Sequence, residues 1–175
     1  MGELGLSGAY RTTYAIDPRM AYYFSELFGI EAFYSTLFNS ENGTFTALEK
    51  QAPNTLPQVR EIHSEYAILL HYVPWYAKIN VYNTILHFDW YFSGGYGGMS
   101  TAVDTRTNAS SAPSYVDQTR TALFLGTGQL YHLNEVLDVR LDLTGAFYKA
   151  PLLGLSGDEG WFTNFTFGVG LGLRL

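Results

Sequence analysis

Cysteine is absent from this 175-residue chain, so neither a disulfide framework nor a thiolate metal site is available. Lysine is nearly absent too: Lys50, Lys78 and Lys149 are the only three. Charged residues make up 15%, against roughly 25% in a typical soluble domain, so the chain can barely supply the charged skin of a soluble β-protein. A net charge of −6 argues against a nucleic-acid partner, because nothing here would release counterions from a phosphate backbone. A polybasic, lipid-binding cluster is missing as well. No apolar run reaches the roughly 18 residues of a membrane-spanning helix. His63, His71, His87 and His132 lack ligand spacing, so no metal and no other cofactor is expected. Met1 leads straight into an alternating stretch, and the chain reads as a mature or trimmed form whose export signal has been removed.

Aromatic residues are abundant, at 17% with 14 Tyr and 12 Phe. They fall into a period-two alternation that recurs along the chain, the mark of half-buried strands. Eight strands are predicted, at about 3–12, 19–25, 29–38, 65–72, 84–99, 120–131, 137–148 and from 164 to the end. The last is the cleanest: Phe165, Phe167, Val169, Leu171 and Leu173 on one side, Asn164, Thr166, Gly168, Gly170, Gly172 and Arg174 on the other. Strands of this length suit a tilted bilayer crossing, and an even count is the rule for single-chain bacterial barrels. The expected fold is therefore all-β, a single domain over 1–175 forming an eight-stranded antiparallel up-and-down transmembrane β-barrel.

The predicted connections alternate in length. Those at 25–28 and 132–136 are short. Those at 39–64, 100–119 and 150–161 are long and polar, and the first holds a helical turn near 46–51 between Gly43 and Pro53. The stretch 13–18 reads as a modest loop and 73–83 as an intermediate connection. Long extracellular loops and short periplasmic turns are the asymmetry of outer-membrane barrels, which places both termini in the periplasm.

Alternation by itself also fits a soluble lipocalin-like, ligand-binding barrel, with the apolar face inward. The polar face decides between them. In the last strand that face carries glycines, Asn, Thr and one Arg, and in the sixth it carries Gly126 and Gly128. Small residues suit the crowded lumen of an eight-stranded barrel, while the bulky aliphatic face meets lipid. Tyr10, Tyr72, Trp75, Tyr76 and Trp161 fall near strand ends and form the expected aromatic girdle at the membrane–water interface.

The inward faces place ionisable groups in the lumen: Glu3, Arg11, Glu31, His71, His87, Asp89, Asp138, Arg140, Asp142 and Arg174. Buried charges require partners, so these are expected to form an ion-pair network that plugs the barrel, with Arg140 at its centre. A catalytic alternative places His87 and Asp89 on one face, with His71 opposite, in an outer-membrane enzyme or lipid-binding barrel. Asp89 lies mid-strand between aromatic residues, however, so no enzymatic activity is expected. The run Gly94-Gly95-Tyr96-Gly97-Gly98 lacks the Lys and helix of a phosphate loop and reads as a site of strand twist or close approach. A filled eight-stranded lumen leaves no continuous pore.

Several segments resemble a family of small outer-membrane β-barrel proteins of myxobacteria, bdellovibrios and related bacteria. Val73-Pro74-Trp75-Tyr76-Ala77-Lys78, followed by Ile85-Leu86-His87-Phe88-Asp89-Trp90, is similar to that family's Pro-x-Tyr-Gly-Lys and His-Phe-Asp signature. Leu125-Gly126-Thr127-Gly128 and Leu137-Asp138-Val139-Arg140-Leu141-Asp142 resemble its later hairpin. Ala77 replaces the usual Gly, and Leu175 stands where a terminal aromatic is typical, which puts the true C-terminus further on. The resemblance implies a structural or interaction protein of the outer membrane. Its expected surroundings are outer-membrane lipid, including lipopolysaccharide, and other envelope proteins.

Overall fold

Alternating sequence becomes alternating burial. In β4 (Phe28–Glu41) every second residue from Gly29 to Leu37 is buried and each neighbour is exposed. The exposed set includes Ile30, Tyr34 and Phe38, while Glu31 and Ser35 are fully buried. The barrel is thus apolar outside and partly ionic inside, which a lipid surround favours and water does not. That inversion removes the soluble lipocalin-like reading.

The computed structural model describes residues 1–8, 10–52, 59–81, 84–105, 114–151 and 157–174. The strands are β1 (Gly2–Gly5), β2 (Arg11–Ile16), β3 (Arg19–Tyr23), β4, β5 (Arg60–Val81), β6 (Thr84–Asp104), β7 (Tyr115–His132), β8 (Leu137–Pro151) and β9 (Glu159–Leu173), with α1 (Gly43–Gln51) between β4 and β5. All pairings are antiparallel, β2 and β3 both pair with β4, and β1 closes the ring by pairing with both β2 and β9. Nine strand segments make eight staves, because β2 and β3 lie end to end along β4 in one register, from Arg11↔Glu41 to Tyr23↔Gly29. They are interrupted only at Asp17-Pro18. Proline has no N–H to give the ladder, but its carbonyl still accepts from the Tyr34 N–H.

Three expected boundaries are corrected. The stretch 13–18, read as a loop, is mostly strand β2. The first predicted strand breaks after Gly5, and the chain turns back at Arg11. The stretch 73–83, read as a connection, is strand almost to its end: β5 runs to Val81 and β6 starts at Thr84. Pro74 is absorbed by a register shift between Tyr72 and Trp75, a bulge of the kind that accommodates proline in a sheet.

With those corrections the connection lengths separate cleanly. At one end lie the turns 24–27 and 133–136, with the end of β5 at Val81 and the start of β6 at Thr84. Ser25 Oγ accepts from the Leu27 and Phe28 N–H groups, and Asn134 Oδ1 from those of Val136 and Leu137. Such short polar side chains replace the missing ladder bonds of a tight turn. At the other end lie the longer connections, including α1, whose N-cap Asn42 accepts from Phe45 N. Phe45 is buried there, edge-on to Tyr10 and beneath the Arg11 guanidinium. Both β1 and β9 have their outer chain ends directed to the short-turn end.

The lumen is layered. Midway it is apolar, filled by Leu37, Met99, Ala122, Phe124, Ala146 and Tyr148, with the Arg11, Glu41 and Glu61 ion pairs beyond at the loop-end mouth. Toward the turn end it is ionic. Glycine permits this filling: a Cβ on Gly128 would collide with the Tyr91 hydroxyl and the Asp142 carboxylate, and one on Gly97 with the backbone of Tyr66 and Ala67.

Candidate functional site

The single register of β2 and β3 along β4 turns Asp17 and Arg19, on either side of Pro18, both inward, and this puts a cation in the middle of the bore. Arg19 Nε donates to Asp17 Oδ2 at 2.7 Å, and its terminal nitrogens reach Glu3 Oε1 at 2.8 Å, Glu31 Oε1 at 3.1 Å and Asp142 Oδ2 at 3.3 Å. Its guanidinium lies 4.8 Å from the Phe33 ring centroid, under the apolar layer. Arg140 donates to Asp142 Oδ2 at 2.7 Å and to Glu31 through both terminal nitrogens. Four carboxylates from β1, the β2–β3 junction, β4 and β8 therefore share two guanidiniums. The planar fork of Arg is suited to such multidentate bridging.

His71 completes this layer. Its ring stacks on Tyr91 at 4.7 Å, its Nδ1 shares a hydrogen bond of 3.1 Å with the Tyr23 hydroxyl, and its Nε2 lies 3.5 Å from Glu31. Tyr91 bonds Asp142, and Arg140 sits over the Tyr91 ring. The expected residues Glu31, His71, Arg140 and Asp142 thus meet in one network. Its hub, however, is Arg19, with four carboxylate partners against two for Arg140. Arg140 as centre is the reading to correct. The chain-local signal for Arg19 was Asp17-Pro18-Arg19, two inward positions flanking a proline, obscured by reading Pro18 as the end of a loop.

A second cluster occupies the turn-end mouth. His132 Nδ1 lies 2.8 Å from Asp138 Oδ1, and its Nε2 lies 3.1 Å from Asp89 Oδ2. Arg174 approaches the His132 ring at 3.3 Å and also bonds the Asn134 carbonyl. Asp89, Asp138 and Arg174 are therefore gathered by His132, a residue not placed in the lumen because it was read as the first residue of the 132–136 turn, whereas β7 runs through it. His87 goes elsewhere. It stacks on Tyr76, with the Tyr76 hydroxyl 2.9 Å from its Nδ1. The triad of His87, Asp89 and His71 needed for catalysis is not brought together. Among the described residues no His, Asp and Glu cluster suits a metal ion.

Of the girdle aromatics, Tyr72 stacks on Phe28, Trp75 packs edge-on to Trp90 and Phe92, and Trp161 lies under the Lys149 ammonium at the loop end. All three are exposed on the outer surface. Two depart. Tyr10 turns into the loop-end mouth against Phe45 rather than to lipid. Tyr76 pairs with Asp89 across the hairpin and so shares the inward face. A cavity of about 260 Å³ opens at the loop end among residues that include Tyr10, Arg11, Asn39, Arg60, Glu61 and Tyr148. The apolar layer closes it from the ionic one below.

Among the described residues no helix is long and apolar enough to cross a membrane, which says nothing of a β-barrel. A family model described as "outer membrane protein beta-barrel domain" matches residues 4–172. No curated protein and no solved structure matches the chain significantly.

Proposed function

The chain belongs to the outer membrane protein beta-barrel domain family, and from that premise we propose that it serves as a plugged anchor, a structural subunit that holds other envelope proteins at the outer membrane. The observation that carries this reading is the filled bore. An apolar layer and a continuous ionic network stand in series across the lumen, and an eight-stranded barrel has no width to spare around them. A barrel with a filled bore and no assembled catalytic group among the described residues is left with its surfaces. We place the short-turn end and both chain ends in the periplasm, by the loop asymmetry of such barrels. Outer-membrane lipid, including lipopolysaccharide, contacts the apolar band.

Two finer assignments belong to the same proposal. The run from Pro74 to Lys78 with His87-Phe88-Asp89 favours a place among the small barrels of myxobacteria, bdellovibrios and related bacteria. No catalysis is assigned, because His87 bonds Tyr76 whereas Asp89 bonds His132.

The test has two arms on the folded chain. In planar bilayers the expected result is no conductance above the bare membrane. Chemical crosslinking in native outer membranes is expected to give a discrete heteromeric product. Stable unitary conductance steps, or a chain that remains solitary after crosslinking, would overturn the anchor reading.

A further inference from the structure

The β5–β6 hairpin outruns the barrel. Pairing of β4 with β5 stops at Phe28↔Tyr72, and the last contact is the Val73 N–H on the Leu27 carbonyl. β5 continues to Val81, paired on one side only, with β6. On its other side, from Trp75 onward, no strand adjoins it among the described residues. β7 likewise leaves β6 at His87↔His132. Tyr76 shows the consequence: it lies on the inward face but is 68% exposed, because no barrel wall stands opposite. The unpaired edge spans Trp75–Val81, about 23 Å of chain at a strand's rise.

A long open edge is a template for another strand. Lipid is not the occupant, since the overhang lies beyond the turns at 24–27 and 133–136 that mark the rim, and acyl chains cannot satisfy N–H and C=O groups. A second copy is disfavoured by geometry. Antiparallel self-pairing reverses the strand direction and points the second barrel away from the membrane holding the first. Parallel self-pairing about the membrane normal sets Lys78 beside Lys78, a like-charge contact that destabilises a sheet. Lys78 is exposed and is the one Lys or Arg in β5 beyond Arg60. It therefore repels a copy of itself but attracts a carboxylate.

We propose that the open β5 edge is a strand-addition site for an extended, carboxylate-bearing segment of a periplasmic protein. The segment runs antiparallel to β5, in line with β4 beneath the 24–27 turn, and sets an Asp or Glu opposite Lys78. Its other face covers Ala77 and Ile79, next to the aromatic group of Trp75, Trp90 and Phe92. Main-chain bonds supply affinity and alternate side chains supply specificity, as in other strand-addition complexes. This inference rests on the anchor reading and names its contact surface.

Hydrogen–deuterium exchange of the peptide spanning Trp75–Val81 tests it, compared between native outer-membrane vesicles and the purified chain reconstituted in extracted outer-membrane lipid. The expected result is exchange at least about tenfold slower in native vesicles, fast exchange in the reconstituted chain, slow exchange retained in Lys78→Arg and fast exchange in Lys78→Glu. Equal exchange in both preparations overturns the proposal, whether uniformly fast, meaning an empty edge, or uniformly slow, meaning cover by lipid or a second copy. Slow exchange retained in Lys78→Glu overturns the carboxylate. Crosslinking separates this failure from that of the anchor. If wild type and Lys78→Glu give the same heteromeric product, the edge proposal falls and the anchor stands. If neither gives one, the anchor falls as well.

Discussion

Replacing Arg19 with methionine removes the cation that four carboxylates share while nearly conserving side-chain volume. The neighbours cannot all be re-partnered. Glu31 keeps Arg140 and the nearby His71 ring, and Asp142 keeps Arg140 and Tyr91, but Glu3 and Asp17 lose the guanidinium that bonds them. Breaking a buried pair from one side costs about 3–5 kcal/mol, because it leaves uncompensated buried charge. Arg140→Met should cost less, since Glu31 and Asp142 still have Arg19. Reversible guanidinium unfolding in lipid vesicles, followed by tryptophan fluorescence, measures both. With a slope of roughly 4 kcal/mol per molar, the Arg19→Met loss corresponds to a midpoint about 1 M lower. Adding Asp17→Asn and Glu3→Gln to Arg19→Met should recover part of that loss, because the charges left behind are then gone. A midpoint unchanged within about 0.2 M, or a larger loss for Arg140→Met than for Arg19→Met, would refute the assignment of Arg19 as the hub.

Two further substitutions, one of them with a control, test the filling and the inversion of the barrel. Gly128→Val drives side-chain atoms into the Tyr91 hydroxyl and the Asp142 carboxylate, and overpacking of this kind costs about 1–3 kcal/mol; the same unfolding assay should report it, whereas Gly2→Val, with nothing near its Cβ, should be close to neutral. Ile68→Arg places a charge on the outer face of β5, where Ile68 is 65% exposed, and should cost about 2–4 kcal/mol in a bilayer; a loss below about 0.5 kcal/mol would mean that this face does not meet lipid.

The ionic layer also explains why strand content was easier to read than the site. Alternation is local, so the inward and outward faces of β4, β8 and β9 follow from the order of residues alone, as does the choice between lipid and water outside. Glycine at 126, 128, 168 and 170 marks the crowded face for the same reason. The group Glu31, His71, Arg140 and Asp142 could be assembled on paper because each lies in a strand of clear periodicity.

Proline hid the rest. Pro18 and Pro74 lack a ladder N–H, and both were read as parts of connections between strands. The tertiary structure keeps the staves continuous through each, by end-to-end stacking of β2 and β3 along β4 and by a bulge in β5. Register then decides partners, since a shift of one residue exchanges the two faces. Only the side-chain contacts that this register permits show that Asp89 and Asp138 share one histidine, His132. Only the end of β4 at Phe28, set against β5 running on to Val81, exposes the overhanging edge. The sequence by itself determined an inside-out barrel of eight staves with a charged lumen, because those properties depend on spacing along one chain segment. The hub at Arg19, the pairing of His132 and the open edge beside Lys78 depend on which segment stops beside which, and that was decided by the closed sheet.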